Sequence, residues 1–438
     1  MQKNTTLSLR VADRLRLFPE STTIENDSLR IAGHDLASLA DRYGTPLYLY
    51  DRATLDASVL EYQSALQRYY PAPFRITYAG KAFLCKAIAE WTQTHDLLLD
   101  CTGETEVAIA MAAGVERDHI LVHGVNKSAA DLRSALQHAG TIVVDNLTEL
   151  KNMENQEFAP GLQIWLRLVP GVAVHTHHTH TQTGQHDSKF GMTREELLEA
   201  ARICREHGLP LKGIHFHQGS NFRDPEPLIP AIDMALDLAR EIGFSAEWHL
   251  CPGGGWAMAY HEDELPAPSI ESYVRGIAEA VIEGCQARGL ELPQVHLEPG
   301  RSLIAQAGVA LYRVGAVKKR LGKTWLLVDG GMADNPRFAL YGARYSCLPA
   351  DGLGREASGL ISIGGPFCES GDILLEDLLM PDLQEGELIA VPVAGAYQLS
   401  MASNYNGARR PAVIWLEEGK DKLMVRRETI QDLLKNQL

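Results

Sequence analysis

From about residue 74 the chain settles into a rhythm of short apolar runs separated by longer amphipathic stretches. The runs at 74–79, 97–100, 119–123, 141–145, 162–169, 211–217, 246–251 and 294–298 are rich in β-branched and aromatic residues and read as buried strands. Helical patterns lie between most of them: Glu104–Ala113, Ser128–His138, Arg194–His207, Pro227–Ile242 and Ile270–Ala287. Such alternation implies parallel strands joined by helical crossovers, and eight of them predict a (β/α)8 barrel, an α/β fold. A doubly wound open sheet would use fewer strands, and no Gly-x-Gly-x-x-Gly follows an early strand.

Past residue 308 the texture changes. Val309–Val317, Thr324–Val328, Leu360–Ile363, Leu388–Val393, Ala412–Leu416 and Lys422–Arg426 are strand-like, with glycine turns and few helices between them. They predict a second, all-β domain, a β-barrel or sandwich over residues 309–438. Residues 1–45 carry short strands and a helical stretch, Asp35 to Tyr43, before the breaker Gly44-Thr45-Pro46. The expectation is that this N-terminal segment joins the β domain, leaving 46–308 as the barrel.

A chain of 438 residues, 45% hydrophobic and 22% charged, has ample material for two globular cores. A formal charge of −15 disfavours nucleic acid and anionic membrane surfaces as partners. Met1-Gln2-Lys3-Asn4-Thr5 lacks the apolar core of a signal peptide, and no apolar stretch has membrane-spanning length. The seven cysteines are odd in number and show no Cys-x-x-Cys pair, which suits reduced thiols in a cytoplasmic protein.

Functional groups of such barrels gather at the C-terminal strand ends, with phosphate bound after strands seven and eight. Lys81 follows the first strand, within Tyr78-Ala79-Gly80-Lys81-Ala82, and Phe83 to Thr94 reads as the next helix. A partly desolvated lysine there can lose its proton and attack a carbonyl. His215-Phe216-His217-Gln218-Gly219-Ser220 ends strand six, Gly253-Gly254-Gly255 ends strand seven, and Glu298-Pro299-Gly300-Arg301 ends strand eight. The glycines let backbone N–H groups approach an anion, and Ser220 and Arg301 add a hydroxyl and a charge. An amine, a phosphate cradle and a carboxylate at one barrel mouth suit a phosphorylated aldehyde bound as a Schiff base, pyridoxal 5′-phosphate.

These motifs resemble those of the barrel-type (fold type III) pyridoxal-phosphate-dependent amino-acid decarboxylases. Asp329-Gly330-Gly331-Met332, Asn335-Pro336-Arg337-Phe338-Ala339-Leu340-Tyr341, Cys368-Glu369-Ser370-Gly371-Asp372 and Gly395-Ala396-Tyr397 narrow the likeness to the diaminopimelate decarboxylases, over residues 30 to 430. The resemblance implies that Lys81 holds the cofactor aldehyde and His217 stacks on its ring. Ser220, Gly253, Gly254, Gly255, Gly300, Arg301 and Tyr397 belong to the implied cofactor site, the phosphate being held by Ser220, the three glycines and Tyr397. Glu298 pairs with the ring nitrogen, where a carboxylate keeps the pyridinium protonated and favours decarboxylation over racemisation. Asp100 either orients the lysine and cofactor region or caps a helix. Cys368 protonates the carbon that has lost carbon dioxide, and with Glu369 it reaches the other subunit's site in a homodimer.

The implied substrate is meso-2,6-diaminopimelate, the product L-lysine, and the step the last of lysine biosynthesis. Arg301, Arg337 and Tyr341 can clamp a distal carboxylate, Glu369 can bind the ammonium beside it, and Tyr397 completes the substrate set. Ornithine, arginine, carboxynorspermidine or a secondary-metabolite precursor is the alternative substrate. It is motivated by two departures from the family pattern, Asn221 for glutamine and the bulky Trp256; Gly103 for serine is a third departure. The run His175-Thr176-His177-His178-Thr179-His180, with His186, has no helical His-x-x-x-His spacing and no carboxylate at ligand distance. It leads through Thr183-Gly184 into Asp187-Ser188-Lys189-Phe190-Gly191 and reads as a solvated or lid loop rather than a metal site.

Overall fold

The computed structural model describes residues 10–154, 156–171 and 188–438. The chain divides into two compact units: Ser58–Met258 with Ala267–Ser302, and Met1–Ala57 with Ala259–Pro266 and Leu303–Leu438.

In the first unit eight parallel strands close a barrel in chain order: Phe74–Ala79, Leu98–Thr102, Ile120–His123, Thr141–Val144, Gln163–Leu168, Leu211–Phe216, His249–Cys251 and Gln294–Leu297. Leu121, Val143, Trp165 and Cys251 form a fully buried cluster, as expected of a barrel whose centre is packed rather than open. The surrounding helices start and stop where local chemistry dictates. Ser128 and Thr193 form capping boxes at Ala129–His138 and Arg194–Glu206. Gly243 and Gly289 terminate Ile229–Ile242 and Ile270–Arg288 in the left-handed conformation. The helix after Lys81 begins later than the sequence predicts, at Lys86. Phe83 is buried and extended, and its carbonyl accepts the Tyr78 hydroxyl at 2.6 Å, which keeps 83–85 out of the helix.

The second unit is built on a mixed sheet. Its strands run in the order Ile373–Met380, Gly359–Gly364, Lys323–Val328, Gly308–Arg320, Leu47–Asp51, Ala412–Glu417 and Lys420–Val425. Leu388–Val391 pairs with Gly308–Arg320 and with the short Leu348–Pro349. The segment before residue 45 falls in the β unit, as the sequence implies, but the expected barrel boundary at residue 46 needs correction. The segment before residue 45 forms its own antiparallel sheet from Thr23–Glu25, Ser28–Ile31 and His34–Asp35. The strand that enters the mixed sheet is Leu47–Asp51, inside the stretch the sequence assigns to the barrel. All five of its residues are buried, and it pairs with Gly308–Leu311 on one side and Ala412–Leu416 on the other. Continuous burial of that kind marks a central strand.

The strand Ile373–Met380 is absent from the expected set. Its apolar pairs are split by Glu376-Asp377, and Asp377 sits at φ 53° where the ladder with Gly359–Gly364 shifts register. A bulge there destroys the two-residue period by which strands are recognised.

Candidate active site

The barrel strands carry their polar side chains to one buried cluster. Glu298, just past the eighth strand, accepts hydrogen bonds on both carboxylate oxygens, from His123 Nε2 at 2.9 Å and His215 Nε2 at 3.0 Å. Burial by itself would raise the Glu298 carboxyl, but the His215 and His123 rings outweigh it and hold the group well below the usual range. Burial pushes the His215 imidazole down to about 4. At neutral pH the Glu298 carboxyl is therefore ionised, with a ring nitrogen of His215 and one of His123 directed at its two oxygens. These atoms are of metal-ligand type and lie within 4.8 Å of one another, yet both Nε2 atoms are already directed at the carboxylate.

Glycines bring three backbones together beside this cluster. A Cβ on Gly254 would stand 2.0 Å from the Glu298 carbonyl oxygen, and one on Gly255 would stand 2.2 Å from that of Gly219. Gly253 adopts φ 76°, and a Cβ there would meet His217 Nδ1 at 2.6 Å. No other residue fits this cradle. The Gly254 N–H donates to His217 Nδ1 at 3.3 Å, so part of the glycine loop orients the histidine. Burial, and then the nearby Lys81 cation, hold His217 well below its ordinary value.

Asn221, immediately after Ser220, adopts φ 74° and donates its N–H to Gly255 O at 2.7 Å. Asparagine tolerates that left-handed geometry better than most residues, which gives this departure from the family pattern a local cause. Gly103 likewise has φ 78°, and a Cβ on it would press on Asp131 Oδ1 at 2.8 Å. Trp256 is buried against the Tyr273 ring, centroids 4.2 Å apart.

Lys81 lies on the 3₁₀ turn Gly80–Ala82 and is exposed. A Cβ on Gly300 would touch Ala79 and Ala82 at 3.1 and 3.2 Å, and the Ala79 N–H donates to Pro299 O. The lysine turn and the Glu298–Arg301 turn are thus packed together. Asp100 is buried inside the second strand, with Oδ1 3.8 Å from His123 Nε2 and no hydrogen bond on that oxygen. Burial raises its carboxyl against the pull of His123 and Lys81. It caps no helix, since the N-cap of Gly103–Ala112 is Thr102. Arg301 opens the short helix Arg301–Ile304. The Gln218 amide is buried without a hydrogen bond on either polar atom. A glycine cradle, unsatisfied polar atoms and an ionised acid make the chemistry of this set fit pyridoxal phosphate.

The remaining sequence-selected residues lie in the β unit. Arg337 begins the short helix Arg337–Tyr341 and is only 8% exposed, whereas Tyr341 is half-buried. Arg337 Nη1 donates to Tyr345 Oη at 2.7 Å. Cys368 and Glu369 occupy an exposed turn. Asp372 braces it by accepting the Phe367 and Met332 N–H groups at 2.8 and 2.7 Å. Cys368 is the exposed one among seven free cysteines; the other six are at least half-buried, and burial raises all of them. Tyr397 holds φ 58°, a costly conformation for an aromatic residue and one that tends to persist at functional sites.

The histidine-rich run 175–180, His186 and the loop as far as Asp187 lie outside the described residues. Sequence reasoning passed over His123 and the buried pair Arg167–Asp145 at 3.3 Å. In the β unit it passed over Tyr260, Tyr345, Gln398 and Asp334. His123 ends the third strand, a position that was itself a usable signal.

Residues 55–305 match the family described as pyridoxal-dependent decarboxylase, pyridoxal binding domain. The diaminopimelate decarboxylase of Bacillus subtilis strain 168 is 39% identical over 435 residues, covering 96% of this chain and 98% of its own. That of Actinosynnema pretiosum is 36% identical over 431 residues, covering 96% and 95%. The crystal structure of the M. jannaschii enzyme in complex with L-lysine superposes with a TM-score of 0.86 at 27% identity, covering 96% of this chain and 98% of that one. With relatives of this identity matched along nearly their whole length, the chain belongs to the diaminopimelate decarboxylase family of pyridoxal-phosphate-dependent carboxy-lyases.

Proposed function

We propose that this protein decarboxylates meso-2,6-diaminopimelate to L-lysine and carbon dioxide, the last step of lysine biosynthesis. The observation that carries the substrate is the state of Arg337. The other buried arginines each have an acid, Arg14 with Glu262 at 2.8 Å and Arg167 with Asp145 at 3.3 Å. Arg337 is buried to the same degree, yet it forms no ion pair among the described residues. A buried cation without a counter-ion is costly, and a ligand carboxylate removes that cost. Ornithine, arginine and carboxynorspermidine bring no second carboxylate and would leave it standing.

Lys81 supplies the amine that would tether the cofactor, Ser220 with Gly253–Gly255 and Tyr397 would hold its phosphate, and Gly300 and Arg301 complete that set. His217 would lie against its ring, and Asp100 would orient the lysine side. Bound pyridoxal phosphate supplies an electron sink for the pair left behind when carbon dioxide departs. Glu298, kept ionised by two N–H donors, holds a proton at the ring nitrogen. Arg301, Arg337, Tyr341 and Tyr397 orient the substrate's distal end, and Glu369 takes its ammonium. The Cys368 thiol delivers a proton to the carbon that lost its carboxyl group. The exposed turn bearing Cys368 and Glu369 supports a homodimer with active sites at the subunit interface. Seven free thiols support a cytoplasmic location, and among the described residues no helix is long and apolar enough to cross a membrane.

The test offers meso-diaminopimelate, ornithine, arginine and carboxynorspermidine separately to the protein loaded with pyridoxal phosphate. Lysine should form from diaminopimelate alone, with activity lost in Arg337→Ala. Faster turnover of another amino acid would keep the cofactor chemistry and discard the substrate. Mixing Lys81→Ala with Cys368→Ala chains should restore up to about a quarter of the active sites if each site draws on two subunits; no restoration would remove the shared site.

A further inference from the structure

Arg337 is held by aromatic groups, and their arrangement is specific. Its guanidinium carbon lies 4.5 Å from the centroid of the Tyr260 ring and 5.7 Å from that of Tyr345, while Nη1 donates to the Tyr345 hydroxyl. The two rings meet edge to face, centroids 5.2 Å apart, and the Ser346 N–H donates to Tyr260 O at 3.1 Å. The two segments therefore form one corner with little freedom to adjust. Behind it stands Gln398, fully buried, whose side-chain carbonyl accepts from the Tyr48 hydroxyl at 3.0 Å. Its amide nitrogen is within electrostatic reach of Tyr345 but makes no hydrogen bond of normal geometry. Tyr48 Oη also lies 3.0 Å from Asp334 Oδ2, three residues before Arg337.

We propose that Tyr345 and Tyr260 are positioning residues for Arg337, presetting its guanidinium to select ligands that carry a carboxylate at the end remote from the reacting carbon. This rests on the reading of Arg337 as the group that takes that carboxylate. The physical case is preorganisation. An arginine side chain has many rotamers, and a flexible one would lose that freedom each time substrate bound. A tyrosine hydroxyl and ring face fix the planar fork beforehand without neutralising it, which an acid in the same place would do. The corner supplies orientation and leaves the charge for the ligand.

The test measures equilibrium binding to the pyridoxal-phosphate-loaded enzyme, by calorimetry or cofactor absorbance. Two ligands separate the contributions: L-lysine keeps the carboxylate-and-ammonium end of diaminopimelate, and cadaverine lacks the carboxylate. Tyr345→Phe, which removes one hydroxyl, is expected to weaken L-lysine about tenfold and to change cadaverine by less than about twofold. KM for diaminopimelate should rise with the L-lysine constant while kcat falls much less. Tyr260→Leu should show the same selectivity, so that misfolding of one variant does not silence the test. Equal loss of both ligands in both variants would mean a general structural effect and overturn the proposal. L-lysine binding unchanged by Tyr345→Phe and Tyr260→Leu but lost in Arg337→Ala would overturn it while leaving the proposed function intact. Binding of L-lysine unchanged even in Arg337→Ala would overturn both.

Discussion

Glu298 in the barrel and Asp334 in the β unit are both buried carboxyls ringed by hydrogen-bond donors, yet their titrations move in opposite directions. Glu298 faces two imidazoles and is held well below the ordinary carboxylate range. Asp334 faces the Tyr312 hydroxyl at 2.7 Å, the Tyr48 hydroxyl at 3.0 Å and the Gly331 N–H at 2.8 Å. Burial nevertheless raises it to about 6. The difference lies in what the partners can do. Imidazoles can take up positive charge as well as donate, so they compensate a desolvated anion electrostatically. Phenols only donate, and donation alone does not offset complete desolvation. The barrel thus keeps a permanent anion. The β unit keeps a carboxyl poised near neutrality, close in sequence to a cation that forms no ion pair among the described residues.

The most severe way to break this contrast is to remove the barrel anion. Glu298→Gln keeps the shape but abolishes the charge, and kcat is expected to fall by about 10²–10⁴ with the cofactor still bound, as read from its absorbance. A kcat near wild type would mean that the charge is not what the imidazoles are there to preserve.

A smaller effect sharpens the other side. Asp334 binds its proton more tightly in the folded chain than in the unfolded one, so its contribution is present at low pH and is lost as pH rises through about 6. Thermal midpoints of wild type relative to Asp334→Asn should therefore improve as pH falls from about 7 to 4. Moving a carboxyl from 3.8 to about 6 corresponds to about 3 kcal/mol across that window. A flat or reversed difference would show that the tyrosines hold Asp334 ionised after all.

The smallest effect concerns Arg337. Arg337→Met should raise the stability of the ligand-free protein by about 1 kcal/mol, because a buried unpaired cation is replaced by an apolar chain of similar reach. The opposite exchange of roles is expected of Arg14→Met, which strands Glu262 and should destabilise. If both variants are destabilised alike, Arg337 is a structural residue.

Much of this was legible beforehand, for identifiable reasons. The eight barrel strands are short, apolar and separated by capped helices, so periodicity and punctuation agree. Lys81, the glycine triplet and Glu298 stand at strand ends, where the fold makes position informative. Ile373–Met380 was not legible, because a left-handed residue breaks its period. Leu47–Asp51 is an apolar strand whose sheet is decided only by partners some 260 and 365 residues away, so local pattern could not assign it. His123 stands at a strand end and could have been found by that position, whereas Tyr345 acquires meaning only through Arg337, and nothing in its own neighbourhood announces that.

The wedge of Gly254 against the Glu298 carbonyl has a mechanical consequence. Backbone packed on backbone, with no side chain between, leaves no rotamer to absorb a change in length. The loop that would receive the phosphate and the residue that would meet the ring nitrogen are therefore set apart by a fixed span, like the jaws of a caliper. A cofactor analogue with one extra methylene in its phosphate arm should be able to seat one end or the other, but never both.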